Sequence, residues 1–348
     1  MIPAYDITRT YDWNYEQAPE HPPRLDVPAF AGQWEFCGMA VNSPLGVPAG
    51  PLLNSRWILH YAGLGFDVLT YKTVRSRRRE CYGLPNLLPV EASQLDVEGL
   101  GLRAATAGAS FSSWAISFGM PSRDPSIWRE DVECARRGLG KGQVLVVSVV
   151  ASPEPGWTMD DMARDFSQCG RWAADSGAHV IEANLSCPNV CTGEADLYLS
   201  ASASGRIAAA VRDAVPELPL VLKIGLFPGG EDAEALVAAV SPYADALSAT
   251  NSITATVCSK DNGAPMFGGL RRGIGGAAIA ARCLEETRML AGIIRKRNAP
   301  LSLIGVGGIS TAGDVRARLD AGAGHVQIAT AAMLDPLIAL RIRKELTG

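Results

Sequence analysis

Short apolar runs recur along the chain and alternate with stretches of helical periodicity. The clearest run covers residues 144 to 150, V-L-V-V-S-V-V, near-continuous and β-branched as a parallel strand covered on both faces requires. Similar runs predict strands over 67–73, from His179 to Asn184, and over 220–224, 246–250, 301–306 and 326–329. A first strand ends at Ala49-Gly50, after a short hairpin within 35–50. Helices are predicted over 55–62, 159–175, 204–214, 231–240 and 336–346. Strand alternating with helix predicts a parallel sheet with right-handed crossovers. Eight such strands predict an α/β fold, a single (β/α)8 TIM barrel over residues 35–348. Residues 1–34 carry Pro19, Pro22, Pro23 and Pro28 and read as an extended arm on the surface or on a neighbouring subunit, with Trp13 and Trp34 to pin it. Residues 84–121 are rich in Gly, Ala and Ser and read as an inserted loop over the barrel mouth. Residues 253–276 read as a second, glycine-rich loop.

Composition narrows the function classes. A chain of 348 residues suits a barrel with insertions, and its net charge of −4 mixes both signs. Neither nucleic acid nor a membrane is expected as a partner. No run approaches the roughly 20 apolar residues of a membrane span, and the start lacks a basic, apolar, cleavage-site pattern. A reducing, cytoplasmic setting is expected. The eight cysteines contain no C-x-x-C pair, and no metal site is expected, although only three residues separate Cys187 from Cys191. His179 and His325 open strands and read as structural. The run Arg75, Arg77, Arg78, Arg79 reads as a solvated loop.

Candidate chemistry collects at strand ends, where a barrel presents its site. Lys72 ends the second strand, and its bland reading is a solvated lysine. The fourth strand leaves through Asn184, Ser186, Cys187, Pro188 and Asn189. Pro188 holds Cys187 away from helix, so the thiol sits on a defined loop between two carboxamides. Lys223 interrupts an apolar strand, which is costly unless it is paired. Asn251 and Ser252 follow the sixth strand. Gly307-Gly308 after the seventh strand and Ala329-Thr330 after the eighth are placed as the phosphate site of many barrels. Gly275 and Gly276 leave room for close backbone approach to a ligand. No G-x-G-x-x-G fingerprint follows an early strand, which favours a mononucleotide over a dinucleotide.

The segment N-L-S-C-P-N-V at 184–190 closely resembles the active-site segment of class 1 dihydroorotate dehydrogenases, and a near relative occurs in the pyrimidine-reducing domain of dihydropyrimidine dehydrogenases. Y-K-T at 71–73 resembles the family's T-K-T, and A-T-N-S at 249–252 its sixth strand end. The resemblance runs from about residue 36 to 346. It implies FMN and a small cyclic substrate, with Cys187 as proton acid/base and hydride passing between the adjacent ring carbon and flavin N5. It further implies catalytic roles for Lys72 and Lys223. The implied cofactor set is Ala49, Gly50, Lys72, Thr73, Asn184, Lys223, Thr250, Gly276, Gly307, Gly308, Ala329 and Thr330. Asn184, Asn189, Asn251 and Ser252 are the implied substrate contacts. A soluble electron acceptor or a separate electron-transfer subunit, and a homodimer, complete the expectation. The proline-broken arm does not resemble the membrane-associating extension of class 2 enzymes. A-I-S-F-G-M-P-S at 115–122 departs from the family's N-S-M-G-L-P-N, with Ile116 and Ser122 replacing asparagines. That departure keeps open another dihydropyrimidine or cyclic enone or amide as substrate. Two functions of a different class stay open as well: a phosphate-binding aldolase or isomerase with a Lys223 Schiff base, and a flavin-binding protein without turnover.

Overall fold

Eight parallel strands close into a barrel in chain order. They are β1 Leu45–Val47, β2 Val68–Val74, β3 Val144–Val149, β4 Val180–Asn184, β5 Leu220–Lys223, β6 Ala246–Ala249, β7 Ser302–Val306 and β8 His325–Gln327. The structure is a computed structural model that describes residues 2–91, the backbone of 102–104, and residues 111–186 and 196–347. Side chains alternate across each strand. On β4, Ile181 and Ala183 join the core shared with the outer helices, while Val180 packs with Val68, Val144, Val146, Val221, Ala246, Ile304 and Val306 inside the barrel. Above this apolar layer the interior turns polar. Gln327 Nε2 donates to Thr70 Oγ1 at 3.1 Å, Ser248 Oγ bonds Gln327 Oε1 at 3.4 Å, and Thr73 Oγ1 lies 3.0 Å from Ser148 Oγ. The lower layer thus stabilises by apolar burial, and the upper one prepares a polar floor for the mouth.

A register shift between Tyr71 and Val74 interrupts the pairing of β2 with β3. Such an irregularity re-aims side chains at a strand end. Lys72 and the adjacent Thr73 accordingly both reach the mouth.

Both predicted loops contain strands. Ile253–Ala255, Arg272–Gly276, Ser113–Ile116, Leu87–Glu91, Leu102–Ala104 and Val257–Ser259 form, in that order, a six-stranded sheet built from both insertions. Each strand is short, and Arg272–Gly276 carries three glycines, which weakens the local strand signal. Their pairing is long-range: Gly273 stands opposite Ile116 and Gly275 opposite Trp114. No local window carries that information. The helices Pro125–Gly138, Ala280–Lys296 and Ala312–Asp320 lie between elements that the periodicity does predict. The first has a readable start, with Asp124 as cap and proline in the first turn.

The arm is also more structured than its prolines suggest. Thr10 caps a helix at Tyr11–Glu16, and Tyr5, Tyr11, Asn14 and Ala18 are buried. Arg56 on the helix Ser55–Gly63 donates to the carbonyls of Tyr15, Glu16 and Ala18. Tyr5 and Tyr11 pin the arm, while Trp13 is exposed and Trp34 already belongs to the basal hairpin Trp34–Phe36 and Met39–Val41. Arg75 differs from the rest of its charge run: it is buried and donates from Nε to Met120 O at 3.1 Å.

Candidate active site

One cleft opens at the C-terminal mouth of the barrel, between the strand ends and the six-stranded sheet. It is lined by Lys72, Thr73, Asn184, Lys223, Asn251 and Ser252 on the barrel side and by Leu87, Trp114, Ile116, Phe118 and Met120 on the sheet side. Ala49, Gly50, Gly276, Gly307, Gly308, Ala329 and Thr330 line it too. The structure therefore gathers the predicted strand-end residues into one place. Thr250 is the exception: it is fully buried and lies outside the lining. Cys187 and Asn189 fall outside the described residues.

Two amides fix the exit from β4. Asn184 Oδ1 accepts from Ser186 N at 3.1 Å, a local turn that ends the strand. Its Nδ2 points to Thr73 Oγ1 at 3.4 Å and to Met120 Sδ at 3.6 Å. Asn251 Nδ2 donates to the Ser186 carbonyl. The residue before Cys187 is thus held from both sides. Lys72 Nζ lies 5.9 Å from the centroid of the Phe118 ring, within cation–π reach. Phe118 is in turn met edge-on by Tyr5 at 6.1 Å and Tyr11 at 6.3 Å, so the arm backs the cleft wall.

The far end of the cleft requires glycine. Gly307 and Gly308 have φ of +103° and +74°. A Cβ at Gly307 would meet Cys283 Sγ at 2.5 Å, and one at Gly308 would meet Ala280 Cα at 2.4 Å. Bare backbone therefore turns here beside Ala329 and Thr330, as a phosphate site needs. The Ser252 hydroxyl is buried in the lining and has no hydrogen-bond partner among the described residues, as expected of a group that awaits a ligand. Two lysines, amides and this glycine turn fit a planar, phosphate-bearing flavin.

Cys283, His325 and His179 stay out of the chemistry. Burial pushes the Cys283 thiol up to about 12 and the His325 imidazole down to about 4. His325 packs edge-on against Phe36, and His179 Nδ1 accepts from Leu145 N at 2.9 Å. Both histidines are structural. Among the described residues, no group of three or more His, Cys, Asp or Glu is placed to hold a metal ion, and no helix is long and apolar enough to cross a membrane.

Apart from Ile116, the aromatic and aliphatic wall was not legible as part of the site. Its residues sit on, or just after, strands hidden within the predicted loop, and only the alternation of S-W-A-I hints at them. Ser122 does not line the main cleft. Its hydroxyl accepts from Arg75 N at 3.1 Å and donates to Arg123 O at 2.9 Å. Of the two departures from the family motif, only Ile116 faces the ligand space.

Fold and cleft together define a (β/α)8 barrel with a ligand-sized cleft at the C-terminal mouth of its strands. The family model described as dihydroorotate dehydrogenase matches residues 32–348. A dihydroorotate dehydrogenase of Dictyostelium discoideum is 33% identical over 97% of this chain and 96% of its own. A dihydroorotate dehydrogenase (quinone) of Kineococcus radiotolerans is 28% identical over 89% of this chain and 80% of its own. A dihydroorotate dehydrogenase B (NAD(+)) catalytic subunit of Solidesulfovibrio magneticus is 33% identical over 53% of this chain and 58% of its own. The crystal structure of DHODH from Eimeria tenella in complex with ferulenol shares the fold, with a TM-score of 0.72, 18% identity and coverage of 96% of this chain and 88% of that one. The chain belongs to the dihydroorotate dehydrogenase family and is a flavin oxidoreductase acting on a CH–CH bond. The aldolase and isomerase readings fall with that assignment.

Proposed function

We propose that this protein oxidises the CH–CH bond of a small cyclic substrate of the dihydroorotate type, using FMN. The carrying observation is convergence: Lys72, Asn184, Lys223, Asn251 and Ser252 share one cleft with the glycine turn at 307–308. Bound there, FMN supplies the hydride acceptor. Gly307, Gly308, Ala329 and Thr330 take its phosphate, and Lys72, Thr73 and Lys223 border its ring. Asn184, Asn251 and Ser252, with Asn189, orient the substrate ring. Cys187 removes the proton from the carbon next to the one that loses hydride. Electrons leave to a soluble acceptor or an electron-transfer subunit, and the protein works as a homodimer. Full-length similarity to the Dictyostelium discoideum enzyme supports this reading. Purified protein should release FMN on denaturation, and dihydroorotate should bleach the bound flavin under anaerobic conditions. Recovery of FAD, or of no flavin after reconstitution, would sink the reading.

One observation favours a substrate less polar than dihydroorotate. Ile116 lines the cleft between Trp114 and Phe118, where the family motif places an amide. A ligand polar group left without that amide costs roughly 1–3 kcal/mol. Ile116→Asn is therefore expected to raise kcat/KM on dihydroorotate about ten- to hundredfold. Steady-state kinetics decide: efficient native turnover that the change harms would discard the altered-substrate reading.

A further inference from the structure

Within the polar floor of the barrel, one ionisable side chain stays outside the cleft lining and makes no hydrogen bond among the described residues. Glu182 is fully buried in the middle of β4, and neither carboxylate oxygen has a hydrogen-bond partner there. It stands opposite Ser148 on β3 and Val221 on β5. Two residues beyond Val221, on the same face and one side-chain layer higher, Lys223 lines the cleft. The groups that face Glu182 are therefore Lys223 on one side and, on the other, Ser148, whose hydroxyl is 3.0 Å from Thr73. Among the described residues, Lys72, on β2 beyond Ser148, is the remaining titratable group of this region of the floor.

A carboxyl in such a place is costly when charged and tolerable when protonated. Burial pushes its pKa up, against the opposing pull of Lys223 and then of Ser148. A protonated Glu182 leaves the Lys223 charge directed at whatever lies in the cleft. An ionised one sets a negative charge beneath that ammonium and offsets it.

We propose that Glu182 is a positioning residue for charge: a buried acid one layer beneath Lys223 whose protonation state sets how strongly Lys223 favours the reduced cofactor. The inference rests on the FMN reading above. Ionisation of Glu182 releases its proton to solvent and makes the bound flavin harder to reduce, with no change in the groups that touch it.

The test is the reduction potential of bound FMN across roughly pH 6 to 9, for native protein and Glu182→Gln. The two should coincide at the acid end. At the alkaline end the native potential should lie lower, by at least a tenfold change in the oxidised-to-reduced ratio, about 30 mV for a two-electron couple. In a Lys223→Met background the difference should shrink to less than half. Superimposable curves overturn the proposal. So does a constant offset at every pH, which would mean a carboxylate charged throughout, or a difference undiminished without Lys223. If Glu182→Gln does not fold, reduced-minus-oxidised infrared spectra of native protein replace it. A protonated carboxyl band that responds to reduction is expected, and absence of any such band overturns the proposal. Protein that binds no FMN at all would instead refute the functional reading.

Discussion

Cys187→Ala is expected to lower turnover about 10²- to 10⁴-fold, the range for loss of a positioned general base, while leaving FMN bound. Cys187 lies outside the described residues, so the expectation rests on N-L-S-C-P-N-V and on the neighbours the structure does fix. Ser186, immediately before it, is held by Asn184 and Asn251 together. Both amides line the cleft, so the chain leaves β4 at the cleft. Among the described residues, no thiol near the cleft is a ready substitute. Burial pushes Cys283 up to about 12 and Cys81 up to about 11. Most of the proposed cofactor contacts lie on other strand ends, so the flavin spectrum should survive the change. Anaerobic rapid mixing with substrate would then show slow bleaching at full FMN occupancy. Near-native bleaching would remove Cys187 from the chemistry. Cys187→Ser should fall between the two and recover activity as pH rises, since a hydroxyl is the weaker acid.

The sequence made the barrel legible because its strands are buried on both faces and its chemistry sits where apolar runs stop. Lys223 shows why that signal is strong: four residues of L-V-L-K are buried, and only one can ionise. The glycine pair at 307–308 was equally readable, because the fold tolerates no side chain there. What escaped was whatever depends on long-range pairing. Trp114 and Phe118 looked like loop residues, yet Ser113–Ile116 pairs with Arg272–Gly276 more than 150 residues later and turns both insertions into one cleft wall. Gly276 is the hinge of that pairing, since a Cβ there would fall 2.1 Å from Ser112 O. The arm escaped for a similar reason. Its prolines are visible locally, but Tyr5 and Tyr11 acquire their role only against Phe118. Ser122 shows the opposite error: a motif mismatch looked functional until its hydroxyl was found spent on Arg75 and Arg123.

Lys223→Met is expected to slow reduction of the bound flavin about 10²- to 10³-fold, the size found on removing one preorganised donor to developing charge. Lys223 is almost fully buried yet lines the cleft, so its ammonium acts where solvent screening is weak. Methionine keeps most of the volume and the unbranched shape, so packing beneath the cleft should change by less than about 1.5 kcal/mol. The two effects are measured separately. Stopped-flow reduction by substrate reads the first, and chemical unfolding of flavin-free protein reads the second. The acid beneath makes the comparison sharper. With Lys223 gone, the main pull toward an ionised Glu182 is gone too, and its pKa moves further up. The unfolded carboxyl ionises at its ordinary value, so the variant's stability should fall with rising pH more steeply than the native protein's, and the packing comparison belongs at the acid end. A variant that reduces its flavin at the native rate would make Lys223 a structural residue only. A variant that loses several kcal/mol of stability along with the rate would show that its ammonium holds the barrel floor together rather than acting on the cofactor.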